Sequence, residues 1–377
     1  MWKWMSALLV FVLVSITFAI LMPGLQVVEN PRQVILATQR DHRLHVLDAQ
    51  TLERLGSFEP YNLTHGVSAS LDGRRLFIAQ ASTPDGNGCC ALFSLDLETL
   101  EMCRVVEPVT TQVPSPDGRW LFSQRGDTGV EVFDQQTGQR QTIPAPGVYS
   151  FHPSPGGRWL IGLTNWKGPS VDVFDLEQMA IIRRIEIPRG AGAWVGNQFY
   201  LLTFEGVKAS LWRVDPEAGS LPTPVDVPLP AGLTVNEDFF YTLIVADNKL
   251  LVYQPMGWWF KLNLRDVSET VPGGVFVIEP LTGEIAAHLA PGIDFAQLIP
   301  SFDGESLYGV VAGLPPRLVI LDARTGAVLS EKRLDNDVWS IALASIPENL
   351  IPNELLRPQP CESAEPTPFK EADGEIP

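Results

Sequence analysis

SPDGRWLFSQRGDTGVEVFDQQTG, from Ser115 to Gly138, places two short apolar runs between turn signals. Asp117-Gly118 is a turn pair, because Asp bonds its own local backbone and Gly takes positive φ without steric cost. The runs Arg119 to Ser123 and Val130 to Phe133 are rich in aromatic and β-branched residues, so both read as strands. Asp134-Gln-Gln-Thr137-Gly138 then closes the second run with another Asp-led, Gly-ended turn.

Working outward, the parts of this stretch recur. Turn pairs followed by apolar runs stand at Asp72-Gly73, Asp117-Gly118, Gly156-Gly157, Gly196-Asn197, Asp247-Asn248 and Asp303-Gly304. The second run is more regular: RLHVLD to Asp48, ALFSLD to Asp96, VEVFD to Asp134, VDVFD to Asp175, LWRVD to Asp215, VFVIE to Glu279 and LVILD to Asp322. In each, the residues one and four before the acid are apolar, the pattern of a strand pressed between neighbouring sheets. Thr51, Thr99, Thr137, Thr282 and Thr325 follow five of these acids by three residues, which points to turn chemistry rather than to catalysis.

A period of about 40 residues with short strands is the sequence signature of β-propeller blades. Outside the N-terminus no long helical periodicity competes with it. At SPDGRWLF and VFDQQTG the chain resembles the YVTN and WD40-like propeller repeat proteins, over roughly Val34 to Ser345. That resemblance implies an all-β, seven-bladed propeller and leaves the function open, because the fold hosts enzymes, binders and scaffolds.

The boundaries follow. Residues 1–22 contain the apolar run Trp4 to Met22 behind Lys3, read as one transmembrane helix that anchors the chain, with a cleaved signal peptide as the alternative. Lys3 on the short side puts the N-terminus in the cytoplasm and the propeller outside it, in a periplasm or at a cell surface. Residues 23–33 are a linker with a reach of roughly 36 Å. The propeller spans 34–345, and its first blade has only Val34 to Gln39, Leu44 to Asp48 and Arg54 to Phe58. Val338 to Ala344 is expected to supply the missing inner strand and close the ring. In blade 6 the surplus residues fall at Pro255 to Pro272 if Asp247-Asn248 is the first turn; an alternative register makes Phe239 to Ala246 the second strand. The tail, 346–377, is rich in Pro and Glu and is expected to be disordered or loosely attached.

Candidate chemistry is sparse. No G-x-S-x-G elbow, H-E-x-x-H pair, C-x-x-C pair or phosphate-binding Gly loop is present, so no catalytic residue, metal ligand or cofactor is assigned. His42 and His45 are three apart around the start of a strand, a spacing that would turn their side chains to opposite faces and argues against a shared metal. Phe151-His152-Pro153 resembles a segment of lactonase-type propellers. No Trp stands eight residues after any of the seven acids, unlike the repeats of quinone-cofactor propellers, which the C-terminal DARTG also resembles. Cys103 is a disulfide candidate with Cys89 or Cys90 in an oxidising compartment. The net charge of −17 argues against nucleic acid as a partner and against docking to an anionic membrane face by charge alone. What remains is the aromatic run Trp258-Trp259-Phe260, joined by Trp166 in the equivalent loop of blade 4, as a candidate surface for protein partners. The reading is therefore a membrane-anchored binding and assembly module in a membrane or envelope complex. The rival is a lactonase-like or other hydrolase working in the central channel.

Overall fold

A computed structural model describes residues 32–346 apart from loop segments, of which 81–90, 229–240 and 255–272 are the longest, together with 355–356 and 359–360. The anchor, the linker as far as residue 31, Cys89, Cys90, Cys361, Trp166 and Trp258 to Phe260 lie outside the described residues, while Arg32 and Gln33 already belong to the first strand. The described chain is all β, in seven antiparallel sheets arranged as propeller blades. Among the described residues no helix is long and apolar enough to cross a membrane.

Blades 2 to 7 each run inner strand, second, third and outer strand in chain order, blade 1 takes its inner strand from the far end of the chain, and the third strand is the one that leads to the acid. These third strands are buried on both faces, as Val171, Val173 and Phe174 illustrate in blade 4. Blade interfaces are built from such side chains: Ile161, Val173 and Ile185 of blade 4 pack with Phe199 and Leu201 of blade 5. Between blades 7 and 1, Val310 and Ile320 pack with Leu47 and Leu343.

The closure forms as the sequence leads one to expect. Val338–Ile346 pairs with Arg32–Gln39, Ala344 opposite Val34 and Val338 opposite Gln39. Blade 6 takes the Asp247-Asn248 register: Thr242–Ala246 is its inner strand and Lys249–Tyr253 its second, so the long loop 254–274 separates second from third. Asp247 and Asn248 both have positive φ, the backbone of a tight two-residue hairpin turn.

The tail does more than its composition suggests. Leu355–Leu356 pairs in parallel with the outer strand of blade 1, Arg54–Phe58, and Gln359–Pro360 pairs in parallel with the outer strand of blade 2, Glu101–Val106. Among the described residues the attachment consists of these two short ladders.

Candidate functional site

The channel of a propeller is lined by its inner strands. Here they are Val338–Ile346, Thr64–Ala69, Gln112–Pro114, Val148–Pro153, Gly190–Val195, Thr242–Ala246 and Phe295–Pro300. None contains Asp, Glu, Lys or Arg. Their polar side chains largely serve the ring itself. Gln297 Nε2 donates to the Ile341 carbonyl at 3.0 Å while its Oε1 accepts from the Ile341 N–H at 2.8 Å, fastening blade 7 to blade 1. Ser340 Oγ donates to the Val67 carbonyl at 3.2 Å, fastening blade 1 to blade 2.

The exception is in blade 4. Ser150 and His152 are two apart on one strand and share a face, with Ser150 Oγ 3.0 Å from His152 Nε2. The imidazole packs 5.2 Å from the Phe199 ring of blade 5, and Trp194 Nε1 donates to the His152 carbonyl at 2.9 Å. The residue is half-buried, and the protein around the ring disfavours its charged form, so that desolvation lowers its pKa to about 4. His152 is thus a neutral imidazole at pH 7 that can accept the Ser150 proton. No inner strand supplies a carboxylate to orient it, so the arrangement falls short of an acyl-transfer triad.

The repeated acids are held as turn residues. Asp48 Oδ1 accepts the N–H groups of Gln50 and Thr51 at 2.9 and 2.7 Å, and Asp322 Oδ1 those of Arg324 and Thr325 at 3.0 and 2.7 Å. Burial would raise the Asp48 carboxyl, but the Thr51 N–H, Arg32 and the Gln50 N–H together hold it below the usual range. Asp322 is lowered chiefly by the Thr325 N–H and hydroxyl. The second carboxylate oxygen does something the sequence reading missed. It pairs with a basic residue at the start of the second strand: Arg119 with Asp134 at 3.1 Å, Arg158 with Asp175 at 3.5 Å and Arg75 with Asp96 at 3.8 Å. The signal was available, since SPDGR and SPGGR place Arg directly after the turn. Arg119 and Arg158 also lie over Trp120 and Trp159, 4.4 Å from the ring centroids.

Of the histidines, His45 is buried in the third strand of blade 1. His288 is exposed, stacked on Phe276 at 4.3 Å and 3.0 Å from the Gly273 carbonyl. Among the described residues no three His, Cys, Asp or Glu side chains gather where they could hold a metal ion. A cavity of about 430 Å³ lies between the outer parts of blades 5 and 6, lined by Arg213, Asp215, Val225 and Leu281 among others. Asp215 in it is a turn acid, lowered first by the Glu217 N–H.

Comparison with known proteins identifies the fold and stops there. No protein-family model matches the chain, so the YVTN/WD40-like assignment has no support of that kind, and no curated protein matches by sequence. Solved structures do match. The periplasmic gluconolactonase PpgL of Pseudomonas aeruginosa aligns with a TM-score of 0.55 at 14% identity, over 84% of this chain and 99% of that one. The dihydro-heme d1 dehydrogenase NirN, in complex with DHE, aligns at 0.52 and 17% identity, over 82% and 74%. The hydrazine synthase of Kuenenia stuttgartiensis aligns at 0.50 and 14% identity, over 79% and 91%. The chain has a β-propeller fold like theirs.

Proposed function

We propose that the propeller is a non-catalytic binding and assembly module, held at a membrane by residues 1–22 and displayed outside the cytoplasm, where it engages protein partners of a membrane or envelope complex. The observation that carries this reading is the channel: seven inner strands without a charged side chain offer neither paired carboxylates nor an anion clamp. The way the chain joins the ring adds a direction. It enters at Arg32 beside Ile346, and Ser345 N donates to the carbonyl of the turn residue Gly73. The face bearing the first turns is then nearest the anchor. The opposite face, which receives the loops around Trp166 and 255–272, is the one a partner reaches. Capture from detergent-solubilised native membranes tests this. The wild-type chain should retain a stoichiometric partner, and a variant with Trp258, Trp259 and Phe260 all changed to Ser should lose it at an unchanged melting temperature. Undiminished capture by the stable variant would move the contact surface elsewhere.

A second reading, a lactonase-like hydrolase, is favoured by one observation, the Ser150 to His152 hydrogen bond on a channel strand. The gluconolactonase neighbour adds to it only at the level of fold. Turnover of aldonolactones that His152→Gln abolishes would establish it, and no turnover above the uncatalysed rate would remove it.

A further inference from the structure

We infer that Cys103 is bonded to Cys361, so that a disulfide staples the C-terminal tail onto blade 2. Cys103 lies on the outer strand Glu101–Val106 and is disulfide-bonded. The chain has three other cysteines, Cys89, Cys90 and Cys361. The two ladders that flank Cys103 distinguish them. On one side the antiparallel register sets Ser94 opposite Cys103. The strand Ala91–Asp96 therefore begins at a residue already about 10 Å along the blade from that level. A disulfide holds its Cα atoms within about 7 Å, so a cysteine preceding Ala91 would have to double back over the blade to meet Cys103.

On the other side the register leads straight to the alternative. The tail runs parallel to the outer strand, with Gln359 opposite Glu101 and Pro360 opposite Met102. The next residue in sequence after each of that last pair is a cysteine, Cys361 after Pro360 and Cys103 after Met102. Neighbouring strands are about 4.8 Å apart and paired positions project to the same face, so one further step in this register would give the Cα separation and the Cβ directions that a disulfide needs.

Such a bond changes what holds the ring shut. Val338–Ile346 is kept in blade 1 by non-covalent contacts, a hydrogen-bonded ladder and the bonds to blades 2 and 7, and the tail then pairs with the outer edges of blades 1 and 2. Joining Cys361 to Cys103 makes blades 3 to 7 and the closing strand one covalent loop, so opening the ladder no longer frees the C-terminus. In forming it, the two thiols give up two protons and two electrons to an oxidised thiol-disulfide oxidoreductase, whose own disulfide is reduced to a dithiol. In the cell this rests on the extracytoplasmic reading given above.

The experiment is peptide mapping of the full-length chain in detergent, alkylated without reduction, both as isolated and after equilibration with oxidised glutathione. The expected product is a peptide containing Cys103 linked to one containing Cys361. Cys361→Ser should expose the Cys103 thiol to alkylation and lower the melting temperature by several degrees, while Cys89→Ser and Cys90→Ser leave Cys103 blocked. Linkage of Cys103 to Cys89 or Cys90, or a free Cys103 after glutathione treatment, overturns the inference. Thiols that are free as isolated but join as Cys103 to Cys361 in glutathione support the pairing and count against the extracytoplasmic reading.

Discussion

The seam where the ring closes and the junction between blades 4 and 5 join similar sheets by different means. At the seam the closing strand is gripped from both sides: Gln297 takes both backbone groups of Ile341, Ser340 reaches Val67, and Ser345 N donates to the Gly73 carbonyl. Lys332 Nζ adds a bond at 2.9 Å from blade 7 to the Leu52 carbonyl of blade 1. Blades 4 and 5 share the Trp194 to His152 bond near the channel, with Arg183 donating to the Asp215 carbonyl and Arg158 pairing with Glu217 farther out, and between these they lean on the apolar cluster around Phe199. The difference teaches where hydrogen bonds are needed in such a ring. Apolar packing is non-directional and tolerates sliding. A strand that arrives from the far end of the chain has no hairpin turn to set its level, so groups that recognise one backbone amide must fix its register.

The strongest way to break the comparison is to remove the closing strand. Truncation after Asp337 should abolish cooperative thermal unfolding followed by circular dichroism, because blade 1 loses its inner strand and its neighbours their cover. Truncation after Ile346 removes only the tail and should leave a cooperative melt at a somewhat lower temperature. Equal behaviour of the two would mean that the ladder of Val338–Ile346 is not what holds the ring.

Next in size is a pH effect confined to the junction of blades 4 and 5. His152 has a pKa of about 4 in the folded chain against 6.5 in the unfolded one. Between these values the unfolded state binds the proton and the folded state resists it, so stability is full above pH 6.5 and falls as the pH drops toward 4. The loss is about 3 kcal/mol. Urea titrations of wild type and His152→Gln should differ in slope across that window and run parallel above it. Identical profiles would show that the ring is solvated when folded.

A third comparison sets one fastener against the other. Gln297→Leu leaves the Ile341 N–H and carbonyl without their partner and should cost about 2 kcal/mol in denaturant unfolding, whereas Trp194→Phe should cost about 1 kcal/mol. The reverse order would show that packing governs the seam as well. The smallest effect concerns two turn glycines of the same φ. A Cβ at Gly73 would lie 2.8 Å from Ser345 N, while one at Gly118 meets only the Ser70 Cβ, at 3.5 Å. Gly118→Ala should cost about 1 kcal/mol for its left-handed backbone, and Gly73→Ala about 1 kcal/mol more for crowding the closing strand.

The fold was legible because its signals are periodic. Turn pairs and the apolar spacing before each acid gave the blades, and the shortage of one strand in blade 1 gave the closure. Even blade 6 could be read from Asp247-Asn248, a pair suited to positive φ. The fasteners could not be read. Gln297 and Ser340 are isolated polar residues in apolar strands, and what makes them matter is a backbone amide far away in sequence. The tail was obscured in another way: its Pro and Glu content masks two ladders of two residues each, too short to leave a pattern. At the candidate site the sequence singled out His152 but not Ser150, since a hydroxyl two residues before a histidine is unremarkable until the strand puts both on one face.

The antiparallel pairing of Arg32 with Ile346 has a mechanical meaning. Both ends of the propeller leave the ring side by side, at the same end of one ladder. Tension between the N-terminal segment and a load hung on the C-terminus would pull the two strands apart like a zipper, one rung at a time, instead of shearing every rung together. A tail stitched to the outer edges of blades 1 and 2 moves the point of pull off that weak corner and spreads it over two sheets.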